Sequence, residues 1–121
     1  MLSYFYFGTN ALDRAIVFYD AVLGTIGMPR CVTGDPDWDR VAAGWGIYED
    51  AGMRELAFWV GKPFDEKPAT VGNGSMVAFR ARSWKQVDEF YAAAIAHGGR
   101  DAGAPGLRLH YAPELLRSPC A

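Results

Sequence analysis

The sequence predicts an α+β domain in which a strand–helix–strands module occurs twice. Three observations carry that prediction: two amphipathic helices with recognisable ends, β-patterned runs leading into each and filling the space between them, and an internal repeat that places both helices in one register. The chain has 121 residues, half of them apolar, which fits one domain (residues 1–121) able to bury a core without cross-links.

The first helix is predicted from Asn10 to Leu23. Asn10 is the expected N-cap, and Asp13 suits the electropositive first turn. Leu12, Ala15, Ile16, Tyr19, Val22 and Leu23 fall at i, i+3, i+4, i+7 spacing and form one apolar stripe, with Gly24 as the expected C′ residue. The second helix is predicted from Ser83 to about His97. Ser83-Trp84-Lys85-Gln86 reads as a capping box in which the serine hydroxyl accepts the N3 amide and Gln86 reaches back to the cap amide. Val87, Phe90, Tyr91, Ala94 and Ile95 make its stripe, and Gly98-Gly99 end it.

Strands are predicted around these helices. Leu2–Phe7 precedes the first and Met76–Arg82 the second; Arg30–Thr33, Val41–Tyr48 and Glu55–Val60 lie between, separated by the turn sequences Gly34-Asp35-Pro36-Asp37 and Asp50-Ala51-Gly52. Lys62 to Gly74, with two prolines and two glycines, reads as a linker. After the second helix, Arg100–Ala102 is a candidate short strand, Gly103-Ala104-Pro105-Gly106 a loop, and Leu107–Tyr111 a candidate extended run.

A shift of 72 residues lays Ser3 on Ser75, Phe7 on Phe79, Phe18 on Phe90, Tyr19 on Tyr91, Ala21 on Ala93 and Gly27 on Gly99. A strand leading into a helix thus recurs in one internal register, as tandem duplication produces. The implied organisation is module one at 1–61, a linker at 62–74 and module two at 75–121.

Composition narrows the function. The formal net charge is −2, so no basic excess exists to neutralise phosphates, and nucleic-acid or membrane-surface binding is not expected. No apolar run approaches the ~20 residues of a membrane span, and Met1-Leu2-Ser3-Tyr4-Phe5 begins as a strand and not as a signal peptide; a soluble, cytoplasmic protein is expected. Cys31 and Cys120 match no metal spacing and read as free thiols, with a bridge between them the alternative.

The order of local sequences resembles a known superfamily. Gly8-Thr9-Asn10, Arg14-Ala15 and Phe18-Tyr19-Asp20 lead to Phe58-Trp59-Val60-Gly61. Then follow Gly72-Asn73-Gly74, Val77-Ala78-Phe79-Arg80-Ala81, Gly98-Gly99-Arg100-Asp101 and Gly103-Ala104-Pro105-Gly106. Over residues 1 to about 112 this is similar to the glyoxalase-like branch of the vicinal-oxygen-chelate superfamily, which includes glyoxalases, bleomycin-resistance proteins and extradiol dioxygenases. The resemblance implies two tandem βαβββ modules forming a curved mixed sheet around a cleft. In enzyme members a divalent metal sits there, held by His, Gln or Glu on the first and last strands of the modules. It also implies further strands beyond the His110-Tyr111 region, whereas this chain ends Pro113-Glu114-Leu115-Leu116-Arg117-Ser118-Pro119-Cys120-Ala121. The second module is therefore expected to be incomplete at its C-terminus, leaving an open sheet edge. A homodimer is the expected cover, with a helical turn at Leu115-Leu116 the alternative.

The metal positions depart from that pattern. The first-strand ligand position falls at Tyr4 and its repeat partner at Met76; a phenol and a thioether are poor ligands for a hard or borderline divalent ion. No cofactor is therefore expected, although a divalent metal is the family norm. Strand parity puts Tyr4, Tyr6, Met76, Ala78 and Arg80 on the cleft face and Phe5, Phe7, Val77 and Phe79 against the helices. On the strand that closes module one, Glu55, Ala57 and Trp59 share the cleft face while Leu56, Phe58 and Val60 pack inside. Glu55 alone cannot make a metal site. His97 reads as a helix C-terminal residue, and His110 either as a packing residue or as a polar contact in the cleft.

Other constellations read as structure. Gly72-Asn73-Gly74 precedes a strand and not a helix, so it is a turn, not a phosphate loop; Asp35-Pro36-Asp37-Trp38-Asp39 lacks calcium-loop spacing and reads as a solvated loop. Ser75 lacks the strand–turn–helix elbow of a nucleophile. Trp38, Trp45 and Trp59 are core candidates, of which one or two line the pocket in a cup-shaped sheet. The function expected is small-molecule binding by Tyr4, Tyr6, Trp59, Met76, Arg80 and His110, with Arg80 available to an anionic group and the guest partly aromatic or anionic. No catalytic residue is identified. The alternatives are a metal-dependent enzyme of the glyoxalase or dioxygenase type, and a scaffold with no ligand.

Overall fold

The strand that opens the chain, β1 (Tyr4–Gly8), runs parallel to β3 (Arg54–Gly61), and β3 runs antiparallel to β2 (Ala42–Glu49). The resulting open, mixed sheet has the order β1-β3-β2. It belongs to a computed structural model that describes residues 2–49, 54–101, 105–107 and 116–117. Two long helices, α1 (Leu12–Gly24) and α3 (Trp84–Ala96), one short helical turn, α2 (Pro36–Asp39), and a ribbon of β4 (Gly106–Leu107) with β5 (Leu116–Arg117) complete the α+β arrangement. The turn at Asp50-Ala51-Gly52 lies outside the described residues, as do Ala102 and the run beyond Leu107 to Tyr111.

The register of the sheet puts Tyr4 opposite Ala57, Tyr6 opposite Trp59 and Gly44 opposite Trp59 from the other side. Phe58 and Val60 point to the helices with Ala43 and Trp45 from β2, and Leu23 of α1 closes that cluster. Phe58 is its hub. Its ring meets Phe7 at 5.6 Å, Tyr19 at 5.0 Å and Phe79 at 5.2 Å between centroids. Leu56, expected inside with them, is exposed, because it lies towards the end of the β2–β3 ladder away from α1.

All six residues of the α1 stripe are used: five pack on this cluster, and Val22 joins Ala94 of α3 in a second one flanked by Phe18 and Phe90. Val87 and Ala94 bury the corresponding face of α3, while Ile95 sits at its exposed margin.

The helix ends correct three sequence expectations. Asn10 does not cap α1; the cap is Ala11, whose amide is taken by the Thr9 hydroxyl at 3.1 Å. Gly24 is the last residue of α1 and not the one beyond it. The left-handed residue is Gly27 (φ 78°), and the Met28 amide returns to the Leu23 carbonyl at 3.0 Å. At α3, Ser83 accepts from the Gln86 amide at 3.2 Å as expected, but Gln86 Oε1 takes the Arg82 amide at 2.6 Å in place of the cap's own. Gly98 (φ 98°) ends that helix, with Gly99 N–H returning to Ala94 O at 2.6 Å. The two helix stops therefore align Gly27 with Gly98, one residue off the register that relates the rest.

Two predicted strands are reduced. Arg30–Thr33 pairs with β2 only through an isolated bridge from Arg30 to Trp45. Met76–Arg82 forms no strand ladder among the described residues, yet its alternation holds: Val77, Phe79 and Ala81 are partly buried while Met76, Ala78 and Arg80 are exposed. The apolar pattern docks the segment, and strand pairing requires a neighbour that the described residues do not supply. Arg100 and Asp101 likewise carry no strand pairing. The helical turn considered at Leu115-Leu116 is replaced, for Leu116, by strand β5, which lies against α3; Leu115 lies outside the described residues. No described helix is long and apolar enough to cross a membrane.

Candidate functional site

The sheet face opposite α1 forms the floor of an open cleft of about 820 Å³. Its centre is Trp59. That indole lies flat over β2 because residue 44 is glycine: a Cβ there would come within 2.5 Å of the Trp59 ring. Only 5% of Trp59 remains exposed. Tyr4 and Tyr6 from β1 stand beside it, as strand parity places them. The Tyr6 hydroxyl donates to the Lys62 carbonyl at 2.6 Å, and burial pushes its pKa above the ordinary phenol value.

The acidic stretch at 35–39 builds the wall. Its composition suggested a solvated loop, but Asp35 is an N-cap whose carboxylate accepts from the Asp37 and Trp38 amides, and Pro36 occupies the first turn, where it costs no hydrogen bond. The Thr33 hydroxyl donates to Asp39 Oδ1 at 2.6 Å, and Arg40 pairs with Asp37. The three carboxylates are thus occupied in holding one helical turn. That turn sets Trp38 over the cleft, its ring 6.0 Å from Trp59 and 6.2 Å from Tyr6 between centroids. The turn at 62–66 contributes Lys62, Phe64 and Glu66 to the rim.

The sequence-predicted site residues separate accordingly. Tyr4, Tyr6 and Trp59 line this cleft. Met76 and Arg80 are exposed and do not line it, and His110 lies outside the described residues. Lys62 is the cationic residue at the cleft in the place given to Arg80. Trp45 is fully buried on the helix side, where its indole N–H donates to Asp20 Oδ1 at 2.8 Å; Asp20 also pairs with Arg30 at 2.7 Å. His97 ends α3, with Nδ1 2.9 Å from the Ala93 carbonyl. Cys31 is a partly buried free thiol whose pKa burial raises, and Cys120 lies outside the described residues. Among the described residues, no group of three or more His, Cys, Asp or Glu side chains is placed to hold a metal ion. Tyr4 lines the cleft beside Tyr6 and Trp59, with Asp35 and Glu66 also in the lining.

Sequence reading underweighted Trp38 and did not select Phe64. Asp35-Pro36 carried the signal for the first, an N-cap followed by proline at N1. Phe64 carried none, since its place depends on where the linker crosses the sheet.

No family model matches the chain, and no curated protein matches it. Among solved structures, a glyoxalase/bleomycin resistance protein from Albidiferax ferrireducens T118 is 34% identical, matching 89% of this chain and 81% of that one with a TM-score of 0.72. The chain belongs to the glyoxalase/bleomycin resistance family. The vicinal-oxygen-chelate resemblance is thereby shown; from β1 to β3 the chain runs strand, helix, short helical turn, strand, strand.

Proposed function

We propose that this family member binds a small, flat, partly aromatic molecule in the cleft floored by Trp59, without a resident metal. The observation that carries the reading is the aromatic set itself: Trp38 and Trp59 at 6.0 Å, with Tyr6 at 6.2 Å from Trp38 and Tyr4 alongside. Such rings offer π faces and large apolar area, and the Tyr4 phenol offers a polar edge. Lys62 supplies a positive charge for an acidic substituent on the guest. The donor chemistry at Tyr4 and Met76 supports binding without metal catalysis.

Two features support the tandem-module reading. Phe18 and Phe90, and Val22 and Ala94, are related by the 72-residue shift and meet in one helix–helix cluster. The burial alternation of 76–81 matches that of a first strand. A homodimer in which a second copy covers an open sheet edge of module two is the assembly we propose.

A thermal-shift screen of flat aromatic compounds, with metal analysis of the purified protein, tests the reading. A true guest at a hundred times its dissociation constant stabilises the fold by ~2.7 kcal/mol. Stoichiometric zinc, nickel, manganese or iron would overturn the metal-free reading in favour of a glyoxalase- or dioxygenase-type enzyme. Absence of any shift across the compounds would favour a scaffold.

A further inference from the structure

We infer that Phe64 is the closing residue of the cleft: its ring swings from the rim onto a flat aromatic guest and stacks on the face that Trp59 and Trp38 leave open. The inference rests on the proposed binding role and adds the residue that selects for an aromatic plane.

The turn that carries Phe64 is held at both ends. Before it, the Lys62 amide donates to Val41 O at 2.8 Å and the Lys62 carbonyl accepts the Tyr6 hydroxyl at 2.6 Å. After it, the Asn10 side chain grips Ala69 twice, donating through Nδ2 to the carbonyl at 2.9 Å and accepting the amide on Oδ1 at 2.7 Å. Within it, the Glu66 amide returns to Pro63 O at 2.9 Å, and Glu66 adopts a left-handed φ of 62°. A short stretch between two fixed ends, closed by its own hydrogen bond, is a defined mount and not a loose loop.

The side chain on that mount is the opposite. Phe64 is 102% exposed, as free as in an extended chain, although it lines the cleft. Single exposed apolar residues are ordinary on protein surfaces. Phe64 differs because it lines an aromatic cleft whose other rings are progressively less exposed: Trp38 is 38% exposed and Trp59 5%. Among the described residues the cleft has a floor and a wall but no roof. Rotation about the Phe64 χ1 and χ2 bonds moves a ring across the mouth without displacing the backbone, so closure costs little beyond fixing two torsions. It removes apolar area of both ring and guest from water, and the added contact favours offset or edge-to-face aromatic geometry.

The test is a titration with N-phenyl-1-naphthylamine, a neutral aromatic probe that brightens when it leaves water. Wild type, F64A, F64L and F64Y are compared, each with its melting temperature and its mass by light scattering. F64A and F64L are expected to bind about tenfold more weakly, a loss on the scale of one aromatic contact, and F64Y within about twofold of wild type. Melting temperatures are expected to stay unchanged, because the ring touches nothing in the free protein. If wild type binds and F64A binds equally well, this inference fails while the cleft reading stands; F64L equal to wild type overturns the stacking role in the same way. If wild type leaves the probe dark, the cleft reading fails and this inference with it. If F64A keeps its affinity but turns a dimer into a monomer, the ring serves chain association and the inference is overturned.

Discussion

Asp20, half-buried on α1, does two jobs. It accepts the indole N–H of the fully buried Trp45 and pairs with Arg30, tying the helix, the segment at 30 and strand β2 together. The ion pair itself is largely solvated and contributes little. The indole N–H is different, because a buried donor without an acceptor costs about 1–3 kcal/mol. D20A is therefore expected to lower unfolding stability in urea by about that amount, and D20N, which keeps an acceptor oxygen, by less. Trp45 was legible as a core aromatic from its strand, but its bond to Asp20 was not, since the contact joins residues 25 positions apart. Tyr4, Tyr6 and Trp59 were legible as cleft residues because strand parity alone orients them. Met76 and Arg80 follow the same parity on a segment that is not part of the lining of this cleft.

At the scale of elements, local rules placed the helices to within two residues and missed how their ends are used. Asn10 shows why. Its side chain suits an N-cap, but it pairs with both backbone groups of Ala69, and the N-cap position falls to Ala11 with no side-chain cap. A long-range partner that satisfies two groups outcompetes a local one that satisfies one. N10A is expected to cost about 1 kcal/mol and to speed amide exchange at Ala69, while first-turn amides of α1 keep their protection. Loss of protection along α1 in hydrogen–deuterium exchange would return Asn10 to the capping role. The turn α2 teaches the converse lesson. The acidic stretch looked solvated by composition, yet Asp35-Pro36 is local N-cap chemistry that a reading by charge overlooks. Strand 76–82 was readable as a pattern but not as a ladder, because pairing depends on neighbours and not on alternation.

Across the molecule, burial of phenols links the fold to alkaline pH. Tyr6 and Tyr19 are both raised above the ordinary phenol value by desolvation, so the folded chain holds their protons to higher pH than the unfolded one does. Their stabilising contribution is whole below about pH 10 and is lost as pH rises through the folded values. Unfolding stability measured from pH 8 upward is expected to fall above about pH 10, and the fall to be shallower in Y6F than in wild type. Equal slopes would mean that the Tyr6 phenol is as solvated in the folded chain as in the unfolded one.

The sheet order also sets a sequence of events in time. The antiparallel pair β2–β3 joins stretches a few residues apart, from Glu49 opposite Arg54 outward, whereas β1 has only β3 as a described partner and meets it in parallel across a long crossover. Closing a short loop costs less entropy than closing a long one, so the hairpin is expected to pair before the chain's first strand docks. As the polypeptide leaves the ribosome, residues 4–8 must wait, with Phe5 and Phe7 uncovered, until β3 has emerged. The cleft, which draws on residues from Tyr4 to Glu66, is incomplete until that docking has happened.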